Sequence, residues 1–417
     1  MSPVIGRLPS VLYEKECPGN ENEVDTVFTD ESLSIFPCFP LFSKEQCREG
    51  NFTLLKSEPD EKEREVIIPP IRRKHAVRHL SNPFEKHNVP DLVLTNIFGN
   101  LNKKDLCSVM LVCHKWRKFS TISTTWSVTD LAERPVSEVS LCALMKRKLR
   151  VFRLAGAKPN PEAMISPPAF QMALSVVSRL EYLDLSRSNL THRQLMIVLK
   201  PCKKLQCLSL EGSIIDNEIA ECIAQNKDIR ELDLSMTSGI TAESALEIFK
   251  NLKKLEQLNI SWCGVDSQIL DILLENIPSQ VCKLNICGTT RNNGLTDKHM
   301  RMLTTACPKL LDLDLSDNVD ISGLIISLIM DNFERLHTLS LNRCYGVDPN
   351  IIVNLNCMPS LQFLNVHGCI TDSNMDLFLD FCNRLKINCQ YFNFTAKPVA
   401  NTNNNTRIWG QRVKERY

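Results

Sequence analysis

Residues 180–212 read LEYLDLSRSNLTHRQLMIVLKPCKKLQCLSLEG, and the fold is legible in this stretch. Leu180, Leu183 and Leu185 form an L-x-x-L-x-L pattern that restarts at Leu205, Leu208 and Leu210. The second and third apolar positions alternate along a short strand, so both point inward. The segment between the two copies, Thr191 to Lys200, reads as a helix that opens on a capping threonine. Strand and returning helix therefore form one repeating unit.

The same pattern runs through the rest of the chain. It continues at Ile229, Leu232, Leu234; Leu255, Leu258, Ile260; Val281, Leu284, Ile286; Leu310, Leu313, Leu315; Leu336, Leu339, Leu341; and Leu361, Leu364, Val366. A weaker first copy is Leu149, Phe152, Leu154, and a frayed last one lies near Leu385 and Ile387. Starts at 180, 205, 229, 255, 281, 310, 336 and 361 differ by 25, 24, 26, 26, 29, 26 and 25 residues. That period falls in the leucine-rich-repeat range. Asp216, Thr241, Asp266 and Thr296 take the capping place of Thr191 in later copies.

Within each strand the residue between the two inward positions is Asp184, Ser209, Asp233, Asn259, Asn285, Asp314, Ser340 and Asn365. All eight are polar, so this row is expected to face out on the concave side. Three residues after the last apolar position stand Cys263, Asn318, Cys344 and Cys369, in a slot that turns the chain from strand toward helix. Two residues after it stand Trp262, Asp317 and Arg343, where other copies have Gly212, Gly288 or Met236. One large aromatic and two opposite charges on an exposed rim suit an interface hot spot. The competing reading is an intramolecular Asp–Arg pair between neighbouring copies.

Upstream, residues 87–126 read HNVPDLVLTNIFGNLNKKDLCSVMLVCHKWRKFSTISTTW. Leu92, Ile97, Phe98 and Leu101 recur at helical spacing. Asn102 is a candidate N-cap, with Asp105 favoured in the first turn by the helix dipole. Leu106, Val109, Met110 and Cys113 extend the apolar stripe, and Trp116 and Trp126 follow. A three-helix unit of this size is too small to hold a large core alone. It is either a docking module or a cap on the repeats.

The chain divides into a disordered region at 1–85, a helical unit at 86–130, an α/β solenoid at 131–391 and a tail at 392–417. The solenoid is a curved parallel sheet with outer helices. The first region carries Arg72-Arg73-Lys74 after Pro69-Pro70, readable as a nuclear import signal or as a solvated linker.

Composition narrows the function classes. A chain of 417 residues holds two or three modules, with 43% hydrophobic and 23% charged residues. A net charge of +1 supplies no global field for nucleic acid or an anionic membrane. The longest apolar stretch, around Leu324 to Met330, is short of a membrane span, and no signal peptide is read at the start. The 18 cysteines are scattered without a Cys-x-x-Cys pair, which suits reduced, mostly buried thiols better than zinc or disulfides.

The 86–130 unit resembles an F-box. Pro90, Leu92, Leu94, Ile97, Phe98, Leu101, Asp105, Leu106, Val109, Val112, Cys113, Trp116 and Trp126 carry the match, with Val89 where leucine is usual. With the repeats, the chain resembles the F-box/leucine-rich-repeat receptors of ubiquitin ligases from about residue 70 to 410. The match rests on LSLEG (208–212), LNISWC (258–263), LDLSD (313–317), LSLNRCY (339–345), LKINC (385–389) and Ile408-Trp409-Gly410.

The resemblance implies a non-catalytic substrate receptor, nuclear and cytoplasmic, that presents phosphorylated cell-cycle regulators for ubiquitination. Pro90, Leu92, Leu94, Ile97, Phe98, Leu101, Leu106, Val109, Val112, Trp116 and Trp126 would then bind the adaptor, S-phase kinase-associated protein 1. Cullin and RING subunits would be reached through that adaptor. Trp262, Arg291, Asp317, Arg343 and Tyr345 would bind a small cyclin-dependent-kinase regulatory subunit and, with it, the phosphorylated substrate. The tail would pack back along the concave face; the alternative is a free tail.

No catalytic pattern competes with this reading. His75 and His79 lack the metalloprotease glutamate, and no Walker lysine loop or G-x-S-x-G motif is present. No metal, cofactor, nucleic acid or membrane is expected. The alternative function is a repeat scaffold or inhibitor independent of ubiquitination.

Overall fold

The computed structural model describes residues 89–121, 125–290, 293–390, 392–399 and 406–413. The expected disordered region at 1–85 and its basic cluster lie outside them.

Three short helices come first: α1 (Asp91–Gly99), α2 (Lys103–Met110) and α3 (His114–Ser120). The side chain of Asn102 caps α2 by accepting from Asp105 N at 2.8 Å, as its sequence position implies. Leu94, Phe98, Leu106, Met110 and Phe119 are buried among these helices. Phe98 and Trp116 meet edge to face, with ring centroids 5.4 Å apart.

An 11-stranded parallel sheet follows, with neighbouring repeats paired in sequence order. Its first strand is Val128–Asp130, paired with Val151–Arg153. The array thus opens one repeat earlier than the Leu149 copy, inside the segment expected to close the helical unit. Only Val128 and Leu131 mark that strand as apolar, so the leucine pattern gives little sign of it. The last strand is Lys386–Ile387, the frayed copy.

In the central repeats the leucines face a core they fill completely. Leu183, Leu208, Leu232, Leu258, Leu284, Leu313, Leu339 and Leu364 have no exposed surface. Each helix begins where the sequence places it. Thr191 and Thr241 close capping boxes with Gln194 and Ser244; Asp216 and Asp266 accept from the backbone N of Ile219 and Ile269. The slot residues tie repeat to repeat. The thiols of Cys263, Cys344 and Cys369 donate to the carbonyls of Leu234, Leu315 and Leu341, and the Asn318 amide donates to Ile286 and Leu315. Each bond joins a side chain of one repeat to a turn carbonyl, in most cases that of the repeat before it.

Trp126 joins the helical unit to the array. It is wholly buried and donates from Nε1 to the Ser120 carbonyl at 2.9 Å. The Arg147 guanidinium lies 3.9 Å from its ring centroid. Lys103 of α2 approaches the ring and reaches the Thr125 carbonyl at 2.6 Å.

Candidate functional site

Two surfaces stand apart from the packed interior: an apolar face on the helical unit and the sheet face with its rim. On the helical unit, Leu92 is 70% exposed, Val112 60%, Leu111 55% and Ile97 48%. Pro90 is exposed beside them, and Leu101, Val109 and Trp116 are half-buried. Leu94, Phe98, Leu106 and Trp126, expected to bind a partner, are instead buried inside the chain. Their correction has a simple cause. In helices this short nearly every apolar position recurs at helical spacing, so spacing alone does not separate the inward face from the outward one. Val93 and Leu111 are exposed as well and were missed; the only sequence signal was that each sits next to a residue already chosen.

The polar row of the sheet is not open either. Asp184, Ser209, Asp233, Asn259, Asn285, Asp314, Ser340 and Asn365 are all buried. Six of them accept from the backbone N two residues on: Asp184 from Ser186, Ser209 from Glu211, Asp233 from Ser235, Asn259 from Ser261, Asn285 from Cys287 and Asp314 from Ser316. Burial pushes the carboxyls of Asp184, Asp233 and Asp314 up from the ordinary range against these hydrogen bonds.

The C-terminal tail covers the row, running back from the last repeat toward the first. Gln390 N donates to Asn365. Asn259 Nδ2 donates to the Thr395 carbonyl at 3.2 Å, and Ala396 N donates to Gln257. Lys397 Nζ lies 3.2 Å from Glu211 and 3.9 Å from Asp233, and donates to Ser235 at 3.0 Å. A two-stranded hairpin, Arg407–Ile408 with Gln411–Arg412, ends the tail. Ile408 and Val413 pack on Val151, Trp409 lies beside Tyr182, and Gln411 accepts from Arg150 at 2.9 Å.

The rim is set by backbone conformation. Arg187, Gly212, Met236, Trp262, Gly288, Asp317 and Arg343 all have positive φ, between 53° and 76°. Each donates its N–H to a carbonyl of the next repeat, the acceptors being Glu211, Ser235, Ser261, Cys287, Ser316, Asn342 and His367. The left-handed turn thus adds one rung beyond the sheet, and six residues other than glycine accept its strain across the array: Glu133, Arg187, Met236, Trp262, Asp317 and Arg343.

Trp262 is 52% exposed and Tyr345 67%. Asp317 and Arg343 do not stand free. The guanidinium of Arg343 donates from Nε and Nη2 to both Asp317 oxygens, and Cys287 Sγ approaches Asp317 at 3.3 Å. Of the two sequence readings of this pair, the intramolecular one describes it. Arg291 lies outside the described residues.

Among the described residues no group of three or more His, Cys, Asp or Glu side chains is arranged to hold a metal. No helix there is long and apolar enough to cross a membrane.

Comparison with known proteins agrees with this architecture. Residues 140–416, two thirds of the chain, match the family model of the SKP2 LRR domain, and residues 87–129 match the F-box-like model. The DNA repair protein rhp7 of Schizosaccharomyces pombe is 22% identical over 191 residues, 42% of this chain and 33% of that protein. The chain therefore spans about a third of the length of this curated relative. Among solved structures, yeast Rad7 in its complex with Elc1 is 14% identical with a TM-score of 0.41, covering 73% of this chain and 89% of that one. An internalin of Listeria monocytogenes is 14% identical with a TM-score of 0.42, covering 72% and 98%.

Proposed function

The chain belongs to the SKP2 leucine-rich-repeat family and carries an F-box-like unit ahead of its repeats, and from that premise we propose that it is the substrate-recognition subunit of an adaptor–cullin–RING ubiquitin ligase. The observation that carries this reading is the exposure of five large apolar side chains on the helical unit, Leu92, Val93, Ile97, Leu111 and Val112. The helical unit has its own buried core, so these five residues are not needed to fold it. An exposed apolar group of this kind marks a protein interface. Pro90, exposed, and Leu101, Val109 and Trp116, half-buried, would add to the contact with the adaptor.

The receptor role follows from the way the modules are joined. Trp126, held between Lys103 and Arg147, fixes the helical unit to the first repeats. A substrate on the repeats is then held at a set position relative to a ubiquitin-loaded enzyme carried by other subunits. Catalysis would come from raised effective concentration, on the order of millimolar for a short tether.

The finer reading is that Trp262, Arg343 and Tyr345 receive a small cyclin-dependent-kinase regulatory subunit, and that the substrates are phosphorylated cell-cycle regulators in the nucleus and cytoplasm. Asp317 acts there by holding Arg343, and Arg291 remains assigned by resemblance. Phosphate recognition falls to the accessory subunit. One cationic side chain already paired with a carboxylate makes a poor phosphate pocket.

The test is affinity purification of the wild-type chain and of Leu92→Asp/Ile97→Asp, scored for adaptor, cullin and the kinase subunit. Wild type should retain all three, and the variant should lose adaptor and cullin while keeping the kinase subunit. Adaptor retained by the variant would move its seat away from Leu92 and Ile97, and a wild type that retains neither adaptor nor cullin would leave a repeat scaffold as the better description.

A further inference from the structure

The rim ladder holds a second regularity. From Glu133 to Gly368 the left-handed rungs include four glycines: Gly156, Gly212, Gly288 and Gly368. Each follows a rung with a long side chain, namely Glu133, Arg187, Trp262 and Arg343. At three of the four the preceding side chain lies over the glycine. A Cβ on Gly156 would meet Glu133 Cγ at 3.4 Å, and one on Gly368 would meet Arg343 Cγ at 3.2 Å. At Gly288 the approach is much closer. A Cβ there would sit 2.6, 2.7 and 2.9 Å from Cδ2, Cε3 and Cε2 of Trp262.

Backbone conformation alone does not explain a glycine at 288. Trp262, Asp317 and Arg343 adopt the same left-handed φ with full side chains. What separates 288 from them is the indole above it. Three ring atoms at nearly equal, very short distances mean that the ring lies face-on to Gly288, on ground that any other residue would occupy. Trp262 as a whole remains 52% exposed. Aromatic side chains held rigid on a surface make effective anchors, because little rotamer freedom is left to lose on binding.

We propose that Gly288 is a positioning residue for the rim: it is the floor on which the Trp262 indole lies, one face down and the other presented to a partner protein. The proposal rests on the reading of the rim as the seat of the small cyclin-dependent-kinase regulatory subunit. A β-carbon at 288 lifts or swings the ring and destroys that presentation, without removing any atom of the contact surface.

The structure supplies its own control. Gly264 has φ +65°, and a Cβ there would meet nothing within 4 Å. Gly264→Ala therefore carries the left-handed penalty alone, whereas Gly288→Ala carries it together with the clash. The full-length chain, labelled with 5-fluorotryptophan, gives one 19F resonance for each of its four tryptophans, and loss of a line in Trp262→Phe assigns the one of interest. Gly288→Ala should move the Trp262 line and weaken binding of the purified kinase subunit at least tenfold; Gly264→Ala should do neither. The excess destabilisation of Gly288→Ala over Gly264→Ala should vanish when Trp262 is also changed to Ala. An unmoved resonance, or an excess that persists without the indole, overturns the proposal. If Trp262→Ala binds the subunit as wild type does, the rim reading fails, and the resonance and the double-variant comparison still decide the role of Gly288.

Discussion

Arg343 grips both carboxylate oxygens of Asp317, one repeat before it in the array, while half of its own side chain stays in solvent. The pair follows the direction of the rung ladder and locks two neighbouring repeats at their edge. Exposure limits its worth: screened pairs of this kind contribute about 0–1 kcal/mol. Asp317→Ala and Arg343→Ala should each lower stability by less than about 1 kcal/mol, and the double variant should cost less than their sum. Urea unfolding of the four proteins measures this. Strictly additive losses would mean that the pair is not formed in solution.

The helical unit separates folding from binding residue by residue. Leu92→Asp or Ile97→Asp should abolish adaptor binding with little change in melting, because both side chains are exposed. Leu106→Ala should instead cost about 2–5 kcal/mol through an internal cavity. Adaptor pull-down beside thermal melts of the three variants checks the division. A large melting loss from Ile97→Asp would contradict it.

Lys397 is the cation that fastens the tail. Glu211 and Asp233 are both buried beneath it, so Lys397→Met leaves Glu211 with Arg187 alone and Asp233 with only its neutral donors, Ser209 and Ser235. A buried charge left wholly unpaired costs roughly 3–5 kcal/mol, and with these partners kept and Lys397 partly exposed the loss should fall below that range. The tail should leave the sheet, and limited proteolysis should cut near residue 397 long before the repeats are attacked. Equal protease resistance of variant and wild type would place the tail's anchorage elsewhere, at Ile408 and Trp409.

Asp312 gives the array a pH dependence with a definite sign. Burial pushes its carboxyl up to about 6, against the pull of Lys283 on the adjacent strand, and one of its oxygens is buried without a hydrogen bond among the described residues. The folded state holds this proton more tightly than the unfolded chain does. Its contribution to stability is therefore present below the ordinary carboxylate pKa and falls as pH rises to about 6. Asp312→Asn should remove that slope and raise stability at neutral pH by roughly 1–3 kcal/mol. Chemical denaturation at pH 4, 5, 6 and 7 reads it directly; a steeper slope in the variant would refute the assignment.

The cysteines should divide sharply by place. Cys357 and Cys389 are exposed, whereas Cys263 and Cys344 are buried in the turn slot. Burial pushes the Cys263 thiol up to about 11, leaving almost no thiolate at neutral pH. Among these four, a maleimide pulse read by mass spectrometry should label 357 and 389 first and leave 263 and 344 untouched. Early labelling of Cys344 would mean that the slot opens in the native state.

Much of this architecture was legible because a repeat states its rule many times over. Leu232 or Leu284 alone says little, but eight copies of one spacing specify strand, turn and helix. Reading became unreliable wherever a decision depended on a distant part of the chain. Asp233 and Asn259 look like a solvent-facing row until Lys397 and Thr395 arrive from more than 130 residues away to cover them. The rim offset stood out by residue type, yet its backbone basis did not, since tryptophan, aspartate and arginine give no sign of a left-handed turn. In the helical unit, Leu92 and Leu94 are two residues apart and equally apolar. Only packing assigns one to the surface and the other to the core.

The tail also changes how the molecule can come apart and come together. A stack of repeats touching only nearest neighbours frays from its ends and folds in any order. Here Arg150 holds Gln411 across 261 residues of sequence, so the tail that leaves the last repeat is bound back onto the first repeats. Every repeat leaves the ribosome before that clasp does, and until the clasp arrives the acidic sheet residues Glu211 and Asp233 lie open to water. Closure of the tail is thus a non-local step, expected to follow the folding of the repeats. Loss of the final hairpin should turn one cooperative unfolding transition into a succession of smaller ones.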